Sequence, residues 1–366
     1  MANLRFHFLF LLLYASIIIL VSNNSVAKIC LPRQHDAFSA FEDSLFDVGN
    51  DNYFNTNDQA NYAPYGQTFF KYPSGRFSDG RLVPDFIAEY GKLPLIKPYL
   101  HPGHHRYTDG ANFASAGSGA LSETRQGSVL DLKTQVRYYK KVHRLLREEL
   151  GDEAAQTLIS SSVHLISTGV NDYAIYITNL TVLWSNSHQD YVNMVIGNIS
   201  SAIKDIYNVG GRRFGIRNAG PLGCLPVMRV LRGGAAGDCI EEATKIAKLH
   251  NKQLYKMLIK LGNELQGFKY GLTDYFTFLT ELMDNPFKYG FKEGNVACCG
   301  SGPYRGTSNC GLKIEGIEDY KLCDNVGDYV FFDSSHPTEK VNQKLSKLMW
   351  DGKGSGPYNL KALLEI

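Results

Sequence analysis

A hydroxyl, an imidazole and a carboxylate can together cleave an acyl bond, and this chain carries all three where they could meet. In AFSAFEDSLFDVGNDN an apolar run ends abruptly at Glu42, Asp43 and Ser44. A serine leaving a buried strand at a strand-to-helix turn lies at a rim, with backbone N–H groups of the following helix free to hold an anion. Near the other end, FFDSSHPTEK sets Asp333 and His336 three residues apart. On the first turn of a terminal helix, as the segment reads, both side chains reach the same side. Such a pair serves a serine nucleophile: His336 takes the hydroxyl proton, and Asp333 orients the imidazole and stabilises it once charged.

Two further segments offer hydrogen-bond donors. ANFASAGSG, around Gly117, is a Gly-rich backbone able to approach a ligand closely. STGVNDY places the Asn171 amide just after the apolar run VHLIS. Together they suit an oxyanion hole, the preorganised donors that offset charge on a tetrahedral intermediate. Taken singly, each segment has an ordinary explanation: Ser44 as a helix N-cap, Asp333 and His336 as solvated residues, the other two as turns.

The elements that must position these residues alternate in type. Strands are expected over Ala37 to Phe41, Val163 to Ser167, Arg213 to Arg217 and Lys269 to Asp274. Helices are expected over Leu82 to Tyr90, Leu130 to Leu150, Asp190 to Val209 and Ile240 to Leu265, where apolar residues recur at threes and fours. This alternation predicts a parallel sheet with helices on both faces, and sites in such sheets form beyond the carboxyl ends of the strands.

The 366 residues carry 38 basic and 36 acidic side chains, a formal charge of +2. That near-balance supplies no field for polyanions, so nucleic acid is not expected as a partner. The opening MANLRFHFLFLLLYASIIILVSNNSVA has a basic residue, an apolar run and small residues up to Ala27, the order of a secretory signal peptide over residues 1–27. Residues 28–366 then form one domain, because the candidate residues lie at both of its ends. Secretion is expected, with no stable membrane span after cleavage.

An oxidising compartment makes the seven cysteines disulfide candidates. Cys224 and Cys239 flank a Gly-rich loop as a local bridge, Cys298, Cys299, Cys310 and Cys323 cluster before Asp333, and Cys30 is left over. Sequons at Asn179 and Asn198 fit glycosylation on that route; a third, at Asn23, lies where cleavage removes it. His101, His104 and His105 lie in a Pro-Gly loop read as surface, so no metal is expected. Tyr173 to Trp184 suits either a lid or a helix packed in the core. Oligomeric state is not legible.

In their order and spacing these blocks resemble the plant GDSL esterase/lipase family of the SGNH hydrolases. The resemblance spans nearly the whole mature chain and includes SGRFSDGRLVPDFIAEYGKLPLIKPYL, YTDGANFASAGSGAL, RRFGIRNAGPLGCLP and ACCGSGPY. It implies a three-layer α/β/α sandwich around a parallel, flavodoxin-like sheet. It implies Ser44 as nucleophile and an oxyanion hole of the Ser44 N–H, Gly117 and the Asn171 side chain. Asp333 and His336 complete the site, with no metal or organic cofactor and a small-molecule or lipid ester as substrate. An acyltransferase using the same triad is the alternative.

The chain departs from the family signature at one point, where Glu42 replaces glycine and the string reads EDSL. If that backbone needs positive φ, a Cβ costs on the order of 1 to 2 kcal/mol. If φ is ordinary, a carboxylate is added two residues from the nucleophile. Either change weakens or re-tunes hydrolysis, and a secreted binding protein on the hydrolase scaffold is the second alternative.

Overall fold

Alternation along the strands sorts apolar residues onto the two faces of one sheet. In the computed structural model, which describes residues 37–231, 238–353 and 356–366, five strands lie parallel. They are β1 (Phe38–Glu42), β2 (Gly110–Asn112), β3 (Val163–Ser167), β4 (Arg213–Arg217) and β5 (Lys269–Thr273), in the order β2-β1-β3-β4-β5. The signal segment 1–27, Asn23 and Cys30 lie outside the described residues.

Phe41, Ile166, Phe214 and Ile216 point into one core with α2 (Leu132–Leu150), α6 (His188–Asn208) and α8 (Glu241–Glu264). Phe38, Ala40, Val163 and Leu165 point into another with α1 (Val83–Tyr90), α9 (Tyr275–Asp284), α10 (Glu339–Asp351) and α11 (Leu360–Glu365). The period of two in the strands thus generates the expected three-layer sandwich, with an apolar core between the sheet and each helical layer.

Four strands and four helices fall where sequence periodicity puts them, with ends shifted by a residue or two. Strand β2 overlaps the start of the segment expected to be a Gly-rich turn. It has three residues and no β-branched side chain, so propensity does not mark it. Gly110 has φ +100°, and a Cβ there would lie 1.8 Å from the Phe38 carbonyl oxygen. Only glycine lets this edge strand close onto β1.

The strand order reverses between β1 and β3: from β1 the chain goes to β2 on one side, and β3 lies on the other. At such a switch point, loops leaving adjacent strands in opposite directions open a crevice at the carboxyl ends. Ser44 follows β1 and Asn171 follows β3.

Outside the sheet, β6 (Glu293–Ala297) pairs in parallel with β9 (Tyr329–Phe331). Cys298–Cys323 and Cys299–Cys310 tie the intervening segment together, and Cys224–Cys239 closes the expected local bridge. Backbone bonds from Cys298 N to Phe331 O (2.9 Å) and Cys299 N to Phe332 O (2.7 Å) join this stapled segment to the strand that delivers Asp333.

Two local readings change. His104 is buried rather than on the surface: Nδ1 lies 3.2 Å from the Pro98 carbonyl and Nε2 3.0 Å from that of Arg106. The turning loop folds its own carbonyls around the ring. Tyr173 to Trp184 divides in two. Tyr173, Tyr176 and Ile177 on α4 (Val170–Thr178) are core, whereas Leu180 and Trp184 on α5 (Leu180–Ser185) are exposed. Among the described residues no helix is long and apolar enough to cross a membrane.

Candidate active site

Beyond β1 the chain enters a tight turn instead of the expected helix. Asp43 organises it: its carbonyl accepts from Phe46 N (3.2 Å) and Asp47 N (3.1 Å), and Oδ1 accepts from Leu45 N (3.1 Å). Asp47 continues the bend, with Oδ1 accepting from Gly49 N (2.8 Å) and Asn50 N (2.7 Å). Ser44 therefore caps no helix. Its Oγ is held 2.7 Å from His336 Nε2, and the residue is nearly buried.

Asp333 and His336 also differ from the sequence expectation, because they lie on a turn before α10 rather than in its first turn. Pro337 disfavours helical geometry at His336. Asp333 forms the turn instead, Oδ1 accepting from Ser335 N (2.9 Å) and His336 N (2.8 Å). The same carboxylate lies 2.8 Å from His336 Nδ1 through both oxygens, and Oδ2 accepts from the Tyr65 hydroxyl at 2.7 Å. Tyr65 escaped sequence reading, since nothing in NYAPYG marks a residue whose partner lies 268 positions away. The Phe77 ring covers the imidazole, 4.8 Å between centroids.

Burial alone would push the Asp333 carboxyl up, but the neighbouring imidazole and its hydrogen bonds outweigh burial and hold it below the usual range. Burial would lower His336; the attraction and hydrogen bond of Asp333, with Asp43 and Asp58 behind it, raise it instead. An anionic Asp333 beside a basic imidazole is the charge state that proton transfer from a serine needs.

Asn171 opens α4, where its Nδ2 donates to Ser118 O (2.9 Å) and Asp43 Oδ2 (3.2 Å). The next residue, Asp172, fastens the Gly117 loop to the same helix start. Its carboxylate accepts from Ala120 N (2.8 Å), Leu121 N (3.0 Å) and the Thr124 hydroxyl (2.5 Å). Ser44, Gly117, Asn171, Asp333 and His336 all line one cavity of about 390 Å³. Its walls are divided in character: Val170, Ala174, Leu222, Leu225, Met228 and Leu279 are apolar, whereas Asn57, Asp58, Gln59 and Arg125 are polar.

Glu42 ends strand β1, paired in register with Ser167. Its backbone is extended, so the left-handed strain considered for EDSL does not arise.

A flavodoxin-ordered parallel sheet with a hydroxyl–imidazole–carboxylate chain at its switch point defines a class, the carboxylic ester hydrolases of SGNH type. Residues 40–349 match the GDSL-like Lipase/Acylhydrolase family. The chain is 47% identical to GDSL esterase/lipase 1 of Arabidopsis thaliana, over 97% of each chain. It is 46% identical to GDSL esterase/lipase 2 of the same plant, over 92% of this chain and 91% of that one. GDSL esterase/lipase 5 is 45% identical, over 98% and 95%. The chain belongs to the GDSL esterase/lipase family and is a carboxylic ester hydrolase with an ester substrate.

Proposed function

We propose that the protein is a secreted serine esterase that works through an acyl-serine intermediate, with Ser44 as nucleophile and Asp333 and His336 completing the triad. The 2.7 Å contact between Ser44 Oγ and His336 Nε2, backed by Asp333 on Nδ1, carries this reading. Ser44 Oγ attacks the ester carbonyl while His336 takes its proton. The Ser44 N–H and Gly117 N–H receive the oxyanion, and the Asn171 amide joins them by exchanging its longer, 3.2 Å bond to Asp43 for the substrate oxygen. Breaking the C–O bond releases the alcohol with the proton from His336, and water, activated by the same imidazole, frees the acid. The apolar wall suits the acyl chain.

Cleavage after the signal segment 1–27 and a single unit over 28–366 belong to the same proposal. Three disulfides support an oxidising destination. Asn179 and Asn198 are proposed as glycosylated; both are exposed on the fold. Mass spectrometry after treatment with a fluorophosphonate probe tests the nucleophile: the expected adduct is on Ser44, and an unlabelled, correctly folded protein favours the binding-protein alternative. Product analysis with a competing alcohol separates transfer from hydrolysis.

With the backbone at Glu42 extended, its carboxylate, rather than a strained turn, is the part of EDSL proposed to act on the reaction. Glu42→Gln and Glu42→Gly are therefore expected to raise kcat/KM on a short p-nitrophenyl ester by similar factors. The glycine variant additionally loses about 0.5–1 kcal/mol of stability, as glycine does within a strand. A gain confined to glycine would show that the bulk of the side chain or its restriction of the backbone, not its charge, slows the reaction.

A further inference from the structure

Arg125 and Asp58 belong to none of the roles above, yet both face the cavity that holds Ser44 and His336. Their side chains form an ion pair, Arg125 Nη2 to Asp58 Oδ1 at 2.8 Å. Arg125 adopts φ +51°, a left-handed conformation uncommon for a residue with a long side chain. Such strain persists where surrounding structure enforces it, and it clusters at functional sites. Here the Asp172 anchor on Ala120, Leu121 and Thr124 provides the enforcement, immediately before Arg125.

The strained turn lays the arginine over Gly117. A Cβ on Gly117 would meet Arg125 Cδ at 3.0 Å, Nη1 at 3.1 Å and Nε at 3.2 Å. Its positive charge therefore covers the loop whose N–H is assigned to the oxyanion. Asp58 forms the other end of the pair. Its Oδ2 is buried and has no hydrogen-bond partner among the described residues. Its negative charge acts on His336, alongside Asp333 and Asp43.

We propose that the Asp58–Arg125 pair is an electrostatic positioning device for the reaction. Its negative end shares the cavity wall with the imidazole, and its positive end lies over the oxyanion loop. This inference rests on the triad reading above. When His336 accepts the serine proton, positive charge appears on the ring and negative charge on the substrate oxygen. The pair presents the opposite sign to each, and a dipole fixed before the reaction needs no reorganisation during it. Among the described residues, the other groups facing His336 include Ser44 on Nε2, Asp333 on Nδ1 with the Tyr65 hydroxyl behind it, Asp43 with Arg217 acting on it, the Tyr62 phenol on the same cavity wall, and the uncharged Phe77 ring.

The test is the pH dependence of kcat and KM on p-nitrophenyl butyrate for the full secreted chain and its variants. Removing one charge of a partly exposed pair has a smaller effect than removing a direct oxyanion donor, so Asp58→Asn and Arg125→Gln are each expected to lower kcat about tenfold. Their acid limbs move in opposite directions. Asp58→Asn takes a carboxylate from beside His336 and shifts the limb to lower pH; Arg125→Gln takes away a cation and shifts it to higher pH. The neutral double variant loses activity in kcat rather than KM. Asp58→Arg combined with Arg125→Asp restores an ion pair of reversed polarity and falls below the neutral double. Circular dichroism confirms folding, and Asp58→Asn, which keeps the shape of the side chain, remains readable if the exchange does not fold. Unmoved acid limbs, or full recovery in the exchange variant, would overturn the proposal in favour of a structural salt bridge. Ser44→Ala assayed in parallel separates the two readings: wild-type turnover in it overturns both, and inactivity beside unchanged pair variants overturns this one alone.

Discussion

Replacing Ser44 with alanine is expected to lower kcat/KM on a short p-nitrophenyl ester by about 10⁴-fold or more while the protein stays folded. The size follows from what the variant loses. The cavity, the His336–Asp333 pair and the donors around Gly117 and Asn171 all remain, but no oxygen is left for His336 Nε2 to activate, so acyl transfer to the protein ends. Residual rate comes from water attacking a bound ester, which binding and an oxyanion hole still favour over solution. Stability should change by no more than about 1 kcal/mol, the net worth of the one hydrogen bond that Ser44 Oγ makes to His336. His336→Ala should fall to a similar floor, and the double variant no further, because the two act as a unit. Separate, multiplying losses would place the nucleophile elsewhere.

Asp333→Asn is expected to lower kcat by about 10³- to 10⁴-fold through a change of tautomer. An asparagine keeps a carbonyl oxygen for the backbone N–H groups of Ser335 and His336, so the turn is preserved. Its amide then faces His336 Nδ1 and the Tyr65 hydroxyl. An amide donates where a carboxylate accepted, which drives the imidazole proton to Nε2. Nε2 then points a hydrogen at Ser44 Oγ instead of accepting one. The charge effect acts in the same direction, since Asp333 is the main attraction raising His336 against burial. Steady-state kinetics together with a thermal melt check this. A drop below tenfold in a folded variant would show that Asp333 serves the turn alone.

Much of the fold can be read locally because its signals are local. The threes-and-fours period over Ile240 to Leu265 and the short apolar run VHLIS correspond to α8 and β3 almost residue for residue. A buried face must recur at the period of its backbone wherever the element sits. Strand β2 escapes because three residues carry no period, and it exists only through pairing with β1. The turn at His336 departs from the helix that spacing predicts; Pro337 disfavours the helix, and the deciding contact, Asp333 accepting two backbone N–H groups, is not a matter of spacing alone.

By itself the sequence determined which side chains are available and roughly which strand ends carry them: Ser44 after one apolar run, Asn171 after another, Asp333 and His336 before the last long helix, and a bridge between Cys224 and Cys239. Tertiary structure decided what those groups meet. Ser44 and His336 are 292 positions apart and come within 2.7 Å only because β1 stands at the sheet's switch point and a disulfide-tied segment carries Asp333 to it. Tyr65 behind Asp333, Arg125 over Gly117 and Asp58 paired with Arg125 are likewise products of packing. Residue type and period travel along the chain, whereas charge and hydrogen bonding act through space, and only the folded core sets those distances.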